Sequence, residues 1–221
     1  MSRVNAVVFA ACSAFACLDV AAGNAAASLD FDKVFNDRGA PKQAHYAATY
    51  QLGPTEHRIE VWRDRELRLK RRTDDAIETV LAKRPGEVEW SMTVLDIKRR
   101  IRTDVDRTNL YRIGYFTDWF GLAHSLARPR GTYTLTTLPA AAVPRVVPLA
   151  ACRWYALTQG SNTSKVCWSA SQRIPLLITD SSDVVKWRVA AMDASPIASA
   201  TFATNDRGFV RNDANRDIEA D

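Results

Sequence analysis

The sequence predicts a mainly β fold with a few helices, and three observations carry that expectation. Apolar and polar residues alternate in short runs bounded by Gly, Pro and Asp, which is the period of a half-buried strand. Successive runs are joined by short turns, which connect antiparallel neighbours. Fourteen residues separate Cys152 from Cys167, each within strand-like sequence, Cys-Arg-Trp-Tyr-Ala-Leu and Val-Cys-Trp-Ser. A C-x-x-C pair would point to metal or redox chemistry, whereas this spacing suits a disulfide stapling a hairpin.

Residues 1–27 read as a signal peptide. Arg3 supplies the basic start, Val4 to Ala22 is uncharged apart from Asp19, and Ala25-Ala26-Ala27 offers small residues for cleavage before Ser28. A retained membrane anchor competes, but the stretch is only weakly apolar, Asp19 interrupts it, and no second long apolar run follows. Lipoprotein anchoring is a third option: small residues precede Cys12 and Cys17, although Phe9 or Ala14 stands where leucine is usual. The expected compartment is the periplasm, where an oxidised cysteine pair persists.

Residues 28–205 form one domain, large enough to bury its own core. Asp30 to Asn36 has the apolar spacing of a short helix, closed by Gly39-Ala40-Pro41. Tyr46, Ala48, Tyr50 and Leu52 then alternate with polar or small neighbours until Gly53-Pro54 turns the chain. Arg58 to Arg63 is a second strand, and Leu67 and Leu69 of a third face away from Arg68, Lys70 and Arg72. Ile77 to Ala82 and Val88 to Leu95 continue the meander around Arg84-Pro85-Gly86-Glu87. Between Asp96 and Asp106, Ile97, Ile101 and Val105 fit a helix or one side of a strand; a strand turning into loop is favoured. Phe116 to Ala127 predicts a helix, with Thr117 as cap, Asp118 near its positive end and Trp119, Leu122, Ala123 and Leu126 as its apolar stripe. Further strands are expected at Tyr133–Thr136, Trp154–Leu157, Ile174–Ile178 and Val184–Ala190, with an irregular proline-punctuated stretch from Pro139 to Pro148. Residues 206–221 read as an acidic tail.

The chain carries 30 basic and 25 acidic side chains, a net charge of +5. The leader holds one of each, Arg3 and Asp19, so its removal leaves that excess unchanged. The excess favours anionic partners such as lipid headgroups. Nucleic acid is not expected, because export separates the chain from it and the bases are interleaved with acids. The cluster Arg63, Arg65, Arg68, Lys70, Arg71 and Arg72, together with Lys98, Arg99, Arg100 and Arg102, is either the wet face of a sheet or an electropositive rim beside an apolar concavity.

Catalytic signatures are thin. The three histidines, His45, His57 and His124, are separate in sequence, and His124-Ser125 on a helix diverge by about 100 degrees, which precludes a direct nucleophile–base pair. Neither a nucleophile elbow nor a phosphate-cradling glycine loop is present. Asp213-x-Asn215-x-Asp217-x-Glu219-x-Asp221 imitates half of a calcium loop, but Ile218 occupies the glycine position. No metal or other cofactor is expected, and the chain is read as a non-enzymatic monomer.

Arg58-Ile-Glu-Val-Trp-Arg63 with Leu67-Arg-Leu-Lys70, and Cys167-Trp-Ser followed by Arg173-Ile-Pro-Leu-Leu-Ile178 and Val184-Val-Lys-Trp-Arg-Val189, resemble the LolA-like family of periplasmic lipoprotein-carrier and lipoprotein-sorting proteins. The resemblance spans most of residues 30–190. It implies an incomplete antiparallel β-barrel, a half-barrel with covering helices, whose concave apolar side takes a lipid-like or acylated ligand. The disulfided hairpin and the large aromatic segment from Asn109 to Pro129 depart from the family's carriers. Strand parity nominates Tyr46, Tyr50, Ile59, Val61, Leu67, Leu69, Trp90, Met92 and Val94 as the ligand-binding lining, with Trp119 and Leu122 on a covering helix. The expected function is lipid or lipoprotein binding in envelope trafficking. The alternatives are an envelope sensor that binds a protein partner, and a hydrolase, which requires His124 or His57 to meet a carboxylate and a nucleophile in one cleft.

Overall fold

The computed structural model describes residues 28–65, 67–87, 90–106, 109–110 and 119–216. The leader, Thr117, Asp118 and the last residues of the tail lie outside the described residues.

One open sheet of twelve strands dominates the fold. The first six run as a meander: β1 (Gln43–Leu52), β2 (Thr55–Asp64), β3 (Arg68–Thr73), β4 (Ile77–Lys83), β5 (Trp90–Asp96) and β6 (Ile101–Val105). A second meander follows: β7 (Thr134–Thr137), β8 (Arg153–Gln159), β9 (Asn162–Ser169), β10 (Ile174–Asp180) and β11 (Val185–Asp193). β1 pairs antiparallel with β11 and joins the two. β12 (Val210–Asp213) adds to the far edge, parallel to β6. Residues 206–213, grouped with the tail on sequence, therefore contribute a strand. Asn215 is also engaged: its Oδ1 accepts from the Asp106 backbone N–H at 2.7 Å and from Asn109 Nδ2 at 3.2 Å.

Cross-strand register sorts the side chains of the first meander into rows on one face. Ala44, Arg63, Leu69, Leu81, Met92 and Val105 are opposite one another in succession; so are Tyr46, Val61, Arg71, Thr79 and Val94, and then Ala48, Ile59, Thr73 and Ile77. This is the core face, because strand parity places the apolar set there and burial follows. Two arginines, Arg63 and Arg71, stand in its rows.

Two short helices pack on that face. α1 (Phe31–Val34) starts where Asp30 accepts a hydrogen bond from the Lys33 backbone N–H. Phe35 follows it and lies edge-to-face with Tyr155 of β8 and Trp168 of β9, while Phe31 meets Phe120 of α2 (Trp119–His124) at 6.0 Å. α2 ends at His124, before the Ala127 expected for the helix over 116–127, whose first residues lie outside the described ones. Ser125 takes a left-handed conformation (φ 52°) and donates its N–H to Gly121 O, which terminates the helix. The Tyr46 hydroxyl, from β1, donates to Ala123 O at 2.6 Å and pins α2 to the sheet; burial raises its pKa to about 12. The expected loop after Asp96 is instead a tight turn with Arg100 left-handed (φ 55°), followed by β6.

On the opposite face the basic cluster is largely ion-paired. Lys70 and Arg72 share the buried Glu78 at 2.8 and 3.2 Å, and Arg68 bonds Asp64. A 3₁₀ turn at Ser199–Phe202 crosses here, with Phe202 beneath the Arg68 guanidinium. The cluster is thus not simply a wet face: Lys70, Asp64 and Glu78 are buried beneath this crossing, and Arg63 and Arg71 stand on the core face.

Cys152 and Cys167 form the disulfide, with Cα atoms 5.4 Å apart. It ties the residue before β8 to the middle of β9. Closing a loop of this length stabilises the native state by about 3 kcal/mol in the chain-entropy model. Cys152→Ser is expected to lower the melting temperature by roughly 6–10 °C while leaving ligand affinity intact, measured by thermal unfolding and binding side by side. Among the described residues no helix is long and apolar enough to cross a membrane. The disulfide is compatible with an exported protein.

Candidate functional site

The core face is not filled everywhere. Where β1, β3 and β8 to β11 approach the chain after α2, a cavity of about 520 Å³ remains. Its apolar wall comes from Tyr50, Leu126, Pro129, Leu157, Ile178 and Trp187. Gln51, Gln159, Asn162 and Ser164 lie at the turn ends of their strands and supply polar groups, and Gln159 donates to Arg130 O across that end. Three cations line the cavity, Arg71, Arg128 and Lys186, and among the described residues its lining includes no carboxylate.

The three differ in what balances them. Arg128 Nε is 3.0 Å from Asp32, and Lys186 Nζ is 3.1 Å from Asp180. Arg71 has neither an ion pair nor a hydrogen bond to any described residue. Burial pushes its pKa down from the ordinary guanidinium value, opposed only by Tyr46 and Tyr50. Ser125 also lines the cavity, although its hydroxyl oxygen is itself buried, without a hydrogen-bond partner among the described residues. A cation left unbalanced on a cavity wall leaves room for an acceptor of negative charge, because such a group is costly to bury alone.

Arg63 shows the opposite arrangement one row away. It is 2 % exposed, and its Nη1 donates to Asp37 Oδ1 at 2.8 Å. His124 of α2 places Nε2 2.9 Å from the same oxygen and 3.2 Å from Arg63. Burial opposes ionisation of Asp37, but His124 and Arg63 outweigh it and hold its pKa below the usual value. A carboxyl with a depressed folded-state pKa contributes stability above about pH 4, and that contribution is lost as pH falls through the folded value. Asp37→Asn is therefore expected to lower the urea midpoint at pH 7, and the gap from wild type should close below pH 4. A gap of constant size would mean that the charge of Asp37 is irrelevant.

The two histidines named for the hydrolase alternative each reach a carboxylate. His124 reaches a carboxylate but is wholly buried beneath Phe120 and Trp168, away from the cavity wall. His57 reaches Asp74 at 2.5 Å on the surface. His57 also stacks on Tyr50, and His45 on Trp62.

The residues nominated on sequence are brought to one face but mostly into one packed core. Tyr46, Ile59, Val61, Leu69, Trp90, Met92 and Leu122 are buried there. Val94 and Trp119 are partly buried against that core, with Trp119 edge-on to Trp90 at 5.9 Å. Leu67 is half-buried just before β3. Tyr50 is the one nominated residue on the cavity wall. Parity placed these residues on one face without revealing which part of it α1 and α2 fill. Arg71 was within reach of the same argument, since it shares the parity of Leu67 and Leu69. In comparisons with known proteins, no family model matches this chain and no curated protein matches it.

Proposed function

We propose that this is an exported, non-enzymatic binding protein for an anionic amphiphile, with the sheet curved as a half-barrel around its ligand beneath α1 and α2. The observation that carries the reading is Arg71, a cation without an acidic partner among the described residues, on the wall of a largely apolar cavity. Burial of an alkyl chain against Tyr50, Leu157, Ile178 and Trp187 supplies the affinity, at roughly 25 cal/mol per Å². The Arg71 guanidinium orients the carboxylate or phosphate head. The volume lies within the range of small-molecule sites, about 300–1,000 Å³. A single acyl chain suits it better than the several chains of a lipoprotein, so lipid binding is favoured over lipoprotein sorting.

The test is native mass spectrometry and solvent extraction of protein purified from its own envelope, with uptake of a fluorescent long-chain fatty acid measured on the stripped protein. A copurifying anionic amphiphile and saturable uptake are expected. No amphiphile and no uptake would sink the reading. The sensor alternative, a protein partner on the same scaffold, would then gain.

A further inference from the structure

The cavity is long, and its cations do not converge. Arg71 shares a row with Val61 and Tyr46, whereas Lys186 precedes Trp187, which stands opposite Tyr50. The two cations are therefore three strand spacings and about four residues apart, roughly 20 Å on the sheet. That exceeds what their side chains can span toward each other, and Lys186 is turned to Asp180. A cavity of about 520 Å³ that touches both is a trough across β1, β11 and β10, with Arg71 at one end.

A count of charge along this trough defines the head it accepts. The other two cations of the lining each have a counter-charge, Lys186 in Asp180 and Arg128 in Asp32. Behind the wall, Arg63 has Asp37, and His57, stacked on Tyr50, has Asp74. The groups that act on Arg71 itself are Tyr46 and Tyr50, and burial keeps the Tyr46 phenol un-ionised, with its pKa raised to about 12. Among the described residues, what remains is one unbalanced positive charge, at Arg71.

A monoanion pairs with this guanidinium and leaves no charge over. A dianion gains at most twice the attraction, because Coulomb energy is linear in the ligand's charge, but its desolvation cost rises with the square of that charge. In a trough walled by Tyr50, Leu157, Ile178 and Trp187 the second effect wins. We infer that the cavity selects heads of single charge, so that carboxylates and phosphodiesters bind and dianionic phosphomonoesters are refused. This rests on the amphiphile reading and narrows the head group that it takes. The planar fork of Arg71 offers parallel N–H donors to a carboxylate and to a phosphate alike, so charge and not shape separates the heads.

The probes are dodecyl phosphate and methyl dodecyl phosphate, which differ by one methyl group and, above the second phosphate pKa of about 6, by one charge. Each is used to displace the fluorescent fatty acid from the wild-type protein at about pH 5 and about pH 8.5, either side of that value. At the upper pH the methyl ester is expected to bind at least tenfold more tightly than dodecyl phosphate. At the lower pH both are monoanions and should agree within about twofold. Titration of the protein acts on both probes, so the ratio between them is the readout. Equal affinities at the upper pH, or tighter binding of the dianion, overturn the single-charge inference and leave the cavity reading standing. The same preference for the methyl ester at both pH values also overturns it, since the methyl group would then decide. So does a bound fatty acid that neither probe displaces, because shape would then exclude the phosphate. Failure of the fatty acid to bind at all overturns the cavity reading itself, and the charge rule with it.

Discussion

Arg71→Leu should weaken binding of a fluorescent fatty acid by about 10- to 100-fold, the 1.5–3 kcal/mol of a hydrogen bond to a charged group, and should not destabilise the protein. The two expectations have opposite signs for one reason. In the empty cavity Arg71 is a partly buried cation with no described acid to balance it, so an apolar replacement removes a cost. In the complex the same cation meets the ligand's head, and removing it leaves that head in an apolar site. Arg71→Lys should retain part of the affinity, since a point charge remains but the planar fork is lost. The checks are a fluorescence titration and a urea melt on each variant. A variant that is several kcal/mol less stable and binds as well as wild type would make Arg71 a structural residue.

Arg63→Ala is expected to cost about 3–5 kcal/mol, which for a domain of this size lowers the melting temperature by roughly 10 °C. The substitution leaves Asp37 and His124 facing each other without the guanidinium, beneath α2, and opens a void between Ala44 and Leu69. Most of that cost is the penalty of an unbalanced charge rather than the worth of the pair. The double variant Asp37→Leu with Arg63→Met should therefore recover most of it. A loss below about 1 kcal/mol for Arg63→Ala would show that the cluster does not hold α2 in place.

The contrast between these two arginines explains where sequence reasoning succeeded and stopped. Alternation is a local property, so the hairpins and the facing of Leu67 and Leu69 away from Lys70 could be read directly. Nothing local distinguishes Arg63 from Arg71. Both sit at core-face parity in adjoining strands, and what separates them is Asp37, which comes from the stretch after α1 and reaches only the first. The cavity is hidden for the same reason. Parity says that Tyr46, Ile59 and Val61 face inward, but Phe31, Phe35 and Phe120 arrive from elsewhere to close part of that face. The spacing Ile97, Ile101, Val105 was ambiguous because multiples of four satisfy helix and strand alike, and the turn at Arg100 resolves it only in three dimensions. The parallel pairing of β12 with β6 carries no periodic signal at all.

The β1–β11 seam has a kinetic consequence. Within each meander the strands pair with near neighbours in sequence, which makes their contacts early and cheap in loop entropy. Tyr46 meets Met192, well over a hundred residues later. During synthesis β1 is therefore available long before its second partner exists, and one of its edges stays open until the disulfided hairpin and β11 have formed. An unpaired edge of this kind is a template for another chain. Joining of the two meanders should be the slow step of folding, and the interval before it the one in which this protein most needs protection from its own copies.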